Sequence, residues 1–145
     1  MDWQAIFALP NTVALASWVA LIVLPRWAWV SLALRYGVIA ALAAVYATLV
    51  FVYFFRVEGG GFGSLAAVST LFQSPPVLLA GWIHYLAFDL FVGTWIAERA
   101  DARGVSRVLQ APILGATFMF GPVGYLIYAA TELAPALTPA QAEGA

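Results

Sequence analysis

The sequence has no cysteine and no lysine, a single histidine, and few charges of either sign. Without cysteine there can be no disulfide, no thiolate metal site and no cysteine nucleophile, and the redox compartment leaves no mark. Six arginines stand against seven acidic residues, for a net charge of −1. No basic stripe is available for a nucleic-acid backbone, so nucleic acid is excluded as a partner. The run Gly59-Gly60-Gly61 lacks the lysine and the following helix that a phosphate-cradling loop needs. One histidine rules out a bis-histidine haem within one chain, and no spacing of His, Asp and Glu suits a metal. Neither a metal nor a cofactor is expected.

What the chain does have is apolar residues. They make up 64% of its 145 residues, with only 9% charged, against roughly 45–50% and about 25% in ordinary soluble domains. A chain this small cannot hide so much apolar surface from water, so the expected class is an all-α integral membrane protein. The first segment lacks the basic start and small-residue cleavage site of a secretory signal and is read as retained. A spanning helix needs about 20 apolar residues. Four segments meet that length: Ala5 to Leu24, Leu32 to Phe55, Pro75 to Ala97 and Pro112 to Ala130. Glu58 to Gly63 is too glycine-rich to stay helical. Ser64 is a natural N-cap for a short interfacial helix reaching Phe72. The expectation is thus a single four-helix transmembrane domain over residues 1–134, followed by a disordered Ala/Pro/Glu tail over 135–145.

Arginine placement predicts orientation. With four spans the first and third loops share a side, and with their flanks they carry Arg26, Arg35, Arg99, Arg103 and Arg107, leaving Arg56 for the other. The positive-inside rule puts those loops in the cytoplasm and both termini outside. Trp27, Trp29 and Trp95 then belong to the inner interface, and Trp3, Tyr53 and Tyr128 to the outer one.

The third span holds the lone histidine, His84, and an isolated carboxylate, Asp89. Both fall within about 5 Å of the expected midplane. An aspartate there costs roughly 2.5–3.5 kcal/mol on insertion scales, and such groups usually face a bundle interior or a wet cavity. A lone histidine is commonly explained by a helix–helix hydrogen bond; a midplane carboxylate is harder to explain by packing. Five residues separate the two by about 140° around the helix and about 7.5 Å along it, so they do not bond each other. Asp89 shares a face with Trp82, Tyr85 and Gly93; His84 shares one with Gly81, Phe88 and Trp95. One ligand held between the two faces could meet both groups, with Tyr85 between them. In the fourth span, Gly121-Pro122 falls near the centre, where a kink is tolerated if it lines a cavity or packs in protein. Asn11, Ser17, Tyr46, Thr48 and Thr117 read as ordinary interhelical hydrogen bonders. Arg35 can snorkel, and Glu98, Arg99, Asp101 and Arg103 read as a solvated helix end.

Three stretches together resemble the ABA4-like family of small membrane proteins, which includes the plant abscisic-acid-deficient 4 protein needed for making neoxanthin. They are Asn11, Trp18 and Pro25; the run from Gly81 through His84-Tyr85-Leu86-Ala87-Phe88-Asp89 to Gly93; and Phe120-Gly121-Pro122-Val123-Gly124. The resemblance runs from Asn11 to Tyr128. With no transit-peptide-like extension, the chain looks like a bacterial member, which places it in an inner membrane and leaves plant xanthophyll substrates open. The resemblance implies a redox-neutral rearrangement of a carotenoid or related apolar polyene, such as epoxide opening to an allenic alcohol or cis/trans isomerisation. Such chemistry needs an acid and a base. The expected catalytic residues are His84, Asp89 and Tyr85, with Trp82, Phe88, Trp95, Phe120, Gly121 and Asn11 binding substrate. Two rivals stand beside this reading: a non-catalytic carotenoid- or lipid-binding subunit, and a proton or small-solute pathway. The expected partners are the polyene and membrane lipids, with a homo-oligomer or other carotenoid-pathway enzymes as further options.

Overall fold

The computed structural model describes residues 2–137, and all the regular structure in it is helical. Helix α1 is Trp3–Val23, capped by Asp2, whose carboxylate accepts from the backbone N–H groups of Gln4 and Ala5 at 3.0 and 3.1 Å. Such a cap satisfies two of the donors a helix start leaves unpaired. Helix α2 is Ala28–Arg56. Its Ala33–Ile39 stretch is π-helical and its last turn, Phe54–Arg56, tightens to 3-10 geometry. Helix α3, Leu65–Phe72, starts on the expected cap: the Ser64 hydroxyl accepts from Ala67 N–H at 3.1 Å. Helix α4, Pro75–Ala102, opens with two prolines, which cost nothing in the first turn, where the N–H groups have no intrahelical partner. Helices α5, Arg107–Phe120, and α6, Pro122–Leu137, complete the chain.

Three helices, α1, α2 and α4, are long and apolar enough to cross a membrane. The hub is α4. In its most apolar window 56% of residues are buried, against 28% in α1 and 11% in α2, and it packs against every other helix. Small residues let the helices close on each other, as membrane packing without a hydrophobic drive requires. Gly93 lies directly under the Trp18 ring, where a Cβ would come within 2.7 Å of a ring carbon.

The expected fourth span is not a crossing. Residues 107–137 fold as a helical hairpin that enters and leaves at the same end of the bundle. Three levels along α4 establish this. Near the tip, the Tyr85 hydroxyl donates to the Met119 carbonyl at 3.3 Å and Gly121 abuts Asp89. One turn and a half further along α4, Trp95 packs on Tyr125 and Tyr128, with ring centroids 6.1 and 5.7 Å apart. At the end of α4, Arg99 and Arg103 both pair with Glu132 at 3.2 Å. Helix α6 therefore runs alongside α4 in the same direction, and α5 runs back against it. At 14 and 16 residues the two arms are about 21 and 24 Å long, each short of the roughly 30 Å hydrocarbon core.

The turn is sharper than a proline kink because Gly121 adopts φ +48° and ψ −100°, conformations closed to ordinary L-residues. Beyond it, Gly124 lies flat against the Thr117 backbone, leaving no room for a side chain. The irregular backbone is satisfied from within: Gly121 N–H donates to Thr117 O at 2.8 Å and Gly124 N–H to Gly121 O at 3.1 Å. Because the fourth segment doubles back, the start of α1 and the end of α6 lie at opposite ends of the bundle, where four crossings would have put them together. Tyr128 accordingly sits beside Trp95 at the Arg-rich end, donating to Glu132 at 2.7 Å, and not near Trp3. Helix α6 also continues to Leu137, past the expected start of the tail; residues 138–145 of that tail lie outside the described residues.

The mixed-charge run on α4 is a clasp and not merely a solvated end. Arg26 bonds Asp101 and Gln110 at 3.1 Å each and also donates to the Leu21 carbonyl. Gln110 in turn donates to Asp101 at 2.6 Å. Arg35, within the π-helical stretch, pairs with Glu98. Arg107 caps the last carbonyls of α1 at Ile22 and Leu24. Burial lowers the Arg26 pKa from its ordinary value, and the Asp101 carboxylate opposes that shift. The clasp ties α1, α2, α4 and the hairpin together at one end.

Candidate functional site

The face Trp82–Tyr85–Asp89, at positions i, i+3 and i+7 of α4, looks onto a cavity of about 310 Å3 between α1, α4 and the tip of α5. Asn11, Leu15 and Trp18 line it from α1, and Phe118 and Met119 from α5. Asp89 is 8% exposed, and its Oδ2 is buried with no hydrogen-bond partner among the described residues. The carboxylate rests on Gly121: a Cβ there would lie 2.7 Å from Oδ1 and 3.0 Å from Oδ2. Glycine is thus required twice at this point, by its backbone angle and by the carboxylate above it. The start of α6 also turns the positive end of its helix dipole toward Asp89, a setting that favours an anion or an electron-rich oxygen.

Two more polar groups face the same space. Asn11 accepts from the Trp82 indole at 2.7 Å, which orients the indole as a wall and leaves the Asn11 amide nitrogen as a donor. The Tyr85 hydroxyl donates to Met119 O over a long 3.3 Å, with the Asp89 carboxylate as its other polar neighbour, so a better acceptor could take its proton. The rest is aromatic or aliphatic, with the Trp18 and Phe118 rings 5.6 Å apart. A second cavity of about 330 Å3, lined by Trp3, Gln4, Phe7, Leu78 and Trp82, adjoins the first through Trp82. Together they follow the α1–α4 seam.

Of the residues singled out in the sequence, Asp89, Tyr85, Trp82, Asn11 and Gly121 come together here. His84 does not. It points to the other flank of α4, where it stacks on Phe88 at 4.5 Å and meets the Tyr46 ring at 5.3 Å. The expectation that one ligand could meet both His84 and Asp89 fails because the body of α4 lies between them. Phe88 goes with His84, Trp95 packs into the hairpin, and Phe120 is exposed beside the turn. The cavity also uses residues that sequence reasoning did not assign to it: Leu15, Phe118, Met119 and, above all, Trp18. The signal for Trp18 was its position seven residues after Asn11, which puts both on one face of α1.

Residues 5–128 match the family model ABA4-like, described as ABA DEFICIENT 4-like, and the chain belongs to that family. Among curated proteins and among solved structures, none matches.

Proposed function

We propose that this member of the ABA4-like family is a membrane-embedded isomerase of a carotenoid-like polyene, acting in the cavity between α1, α4 and the hairpin tip. Family membership suggests a carotenoid- or xanthophyll-related membrane protein. The observation that carries the catalytic reading is Asp89: a buried carboxylate with an oxygen left unpartnered, facing a cleft on the α1–α4 seam walled by Trp18, Trp82 and Phe118. Leaving such a group unpaired is costly, and a catalytic role accounts for retaining it.

A polyene suits the rest of the seam. From Trp3 to Trp18 the seam follows about 22 Å of α1, apolar throughout apart from Gln4, Asn11, Tyr85 and Asp89. A long apolar molecule entering from the bilayer would lie along it with its end group at Asp89. For an epoxide end group, the Tyr85 hydroxyl donates its proton to the epoxide oxygen as the C–O bond opens. Asp89 takes the vinylic hydrogen, the allene forms, and the proton returns from Asp89 to Tyr85, so that nothing is consumed. His84 takes no part in this step, and the role expected for it passes to Tyr85. The proton-pathway alternative is less well supported, because Trp18, Leu90, Ile96 and Leu114 form an apolar core between Asp89 and the Arg-rich end. The same reading puts that Arg-rich end in the cytoplasm of a bacterial inner membrane.

The test is turnover of an epoxide-bearing carotenoid by protein in lipid nanodiscs, followed by chromatography and mass. An allenic or geometric isomer of unchanged mass is expected, with Asp89→Asn slowing its formation about 10²–10⁴-fold and Tyr85→Phe about 10–100-fold. Pigment bound but recovered chemically unchanged would instead establish the non-catalytic binding subunit.

A further inference from the structure

On the opposite flank of α4, His84 and Tyr46 face a groove of about 450 Å3 between α2, α3 and α4, walled by Phe54, Phe62 and Phe72. The imidazole lies between the Tyr46 and Phe88 rings, tilted 51° to the first and stacked at 26° on the second. Gly81 keeps the groove open, since a Cβ there would come within 2.7 Å of the Phe72 ring. Neither the imidazole nor the Tyr46 hydroxyl takes part in a hydrogen bond with any described residue, unlike Trp82 and Tyr85 across the helix. His84 lies 4.5 residues, about 7 Å, from the midpoint of α4. At that depth acyl chains offer no partner, and an unmade hydrogen bond costs several kcal/mol.

We infer that this groove is a second binding site, for an isoprenoid that carries a hydroxyl or carbonyl oxygen into the membrane interior. The chemistry of the two polar groups selects that class. Neutral imidazole offers one donor and one acceptor, and a phenol offers both, so the pair can satisfy either oxygen. A glycerophospholipid keeps its oxygens at headgroup level and cannot bring one to His84. The polyphenyl wall takes the apolar remainder. No lining residue is shared with the Asp89 cavity, so occupancy here does not depend on chemistry there.

A diazirine-bearing isoprenoid alcohol, photolysed with the full chain in nanodiscs and mapped by peptide mass, tests the assignment. Saturable labelling within residues 46–62 and 72–84 is expected. His84→Phe and Tyr46→Phe, which keep the rings, should each weaken it about tenfold, the loss of one hydrogen bond in an apolar site. Asp89→Asn should leave it unchanged, and the matching isoprenoid hydrocarbon should compete about tenfold less well than the unlabelled alcohol. Labelling confined to the Trp3–Trp18 seam, labelling indifferent to both Phe variants, or labelling that does not saturate would each overturn the second site.

Discussion

The two flanks of α4 treat their polar residues in opposite ways. On one, Asp89 is closed in by α1 and by a backbone turn that glycine alone can make. On the other, His84 is exposed between two aromatic rings at the mouth of a groove. Five residues of one helix separate them, yet the first carboxylate rests on a backbone turn at Gly121 while the second ring is bounded by the side chains of Tyr46 and Phe88. Depth in the sequence predicts that a polar residue needs a partner; what packs against each face decides what kind of partner it gets.

The largest expected effect falls on the closed flank. Gly121→Ala forces a Cβ into a forbidden backbone conformation and against the Asp89 carboxylate. It should cost about 2–4 kcal/mol in an unfolding titration, with partial recovery in the double variant carrying Asp89→Ala, since only the carboxylate clash is relieved. Full additivity would mean the turn and the carboxylate do not touch. Next comes the clasp that holds the hairpin down. Asp101→Asn leaves the half-buried Arg26 without its charge partner, for a loss of about 1–2 kcal/mol, less than for a fully buried pair because both side chains retain some exposure. Asp89→Asn should act in the opposite sense, raising thermal stability by about 1 kcal/mol while turnover falls, as expected where function retains an unpaired buried group. The smallest effect belongs to the open flank. Gly81→Ala meets only the Phe72 ring, which can swing aside, so it should cost under about 1 kcal/mol while narrowing the His84 groove. A loss as large as at Gly121 would erase the distinction between the flanks.

Much of this was legible in the sequence. The three crossings and α3 follow from the lengths of the apolar runs and the Ser64 cap, and the Trp82–Tyr85–Asp89 face follows from helical spacing alone. The hairpin was not, because the hydropathy of residues 112–130 fits a crossing equally well. A positive φ at Gly121 is permitted by glycine but not dictated by it. The clasp was hidden for a different reason, since Glu132 meets Arg99 across 33 positions of chain, a distance no local pattern spans. The hairpin also carries the tip residues Phe118 and Met119 into the cavity, a placement no local pattern shows.

The closed flank exists only if the chain turns back at Gly121, and the absence of native cysteine makes that directly measurable. Single cysteines at Gln4, Glu58, Ala102 and Leu133 in otherwise unaltered protein, labelled with an impermeant maleimide in vesicles of uniform orientation, report the side of each position. Leu133→Cys is expected to label with Ala102→Cys, and Gln4→Cys with Glu58→Cys from the other side. Leu133→Cys labelling together with Gln4→Cys would mean that the last segment crosses the membrane, and the Asp89 cavity described here would not exist.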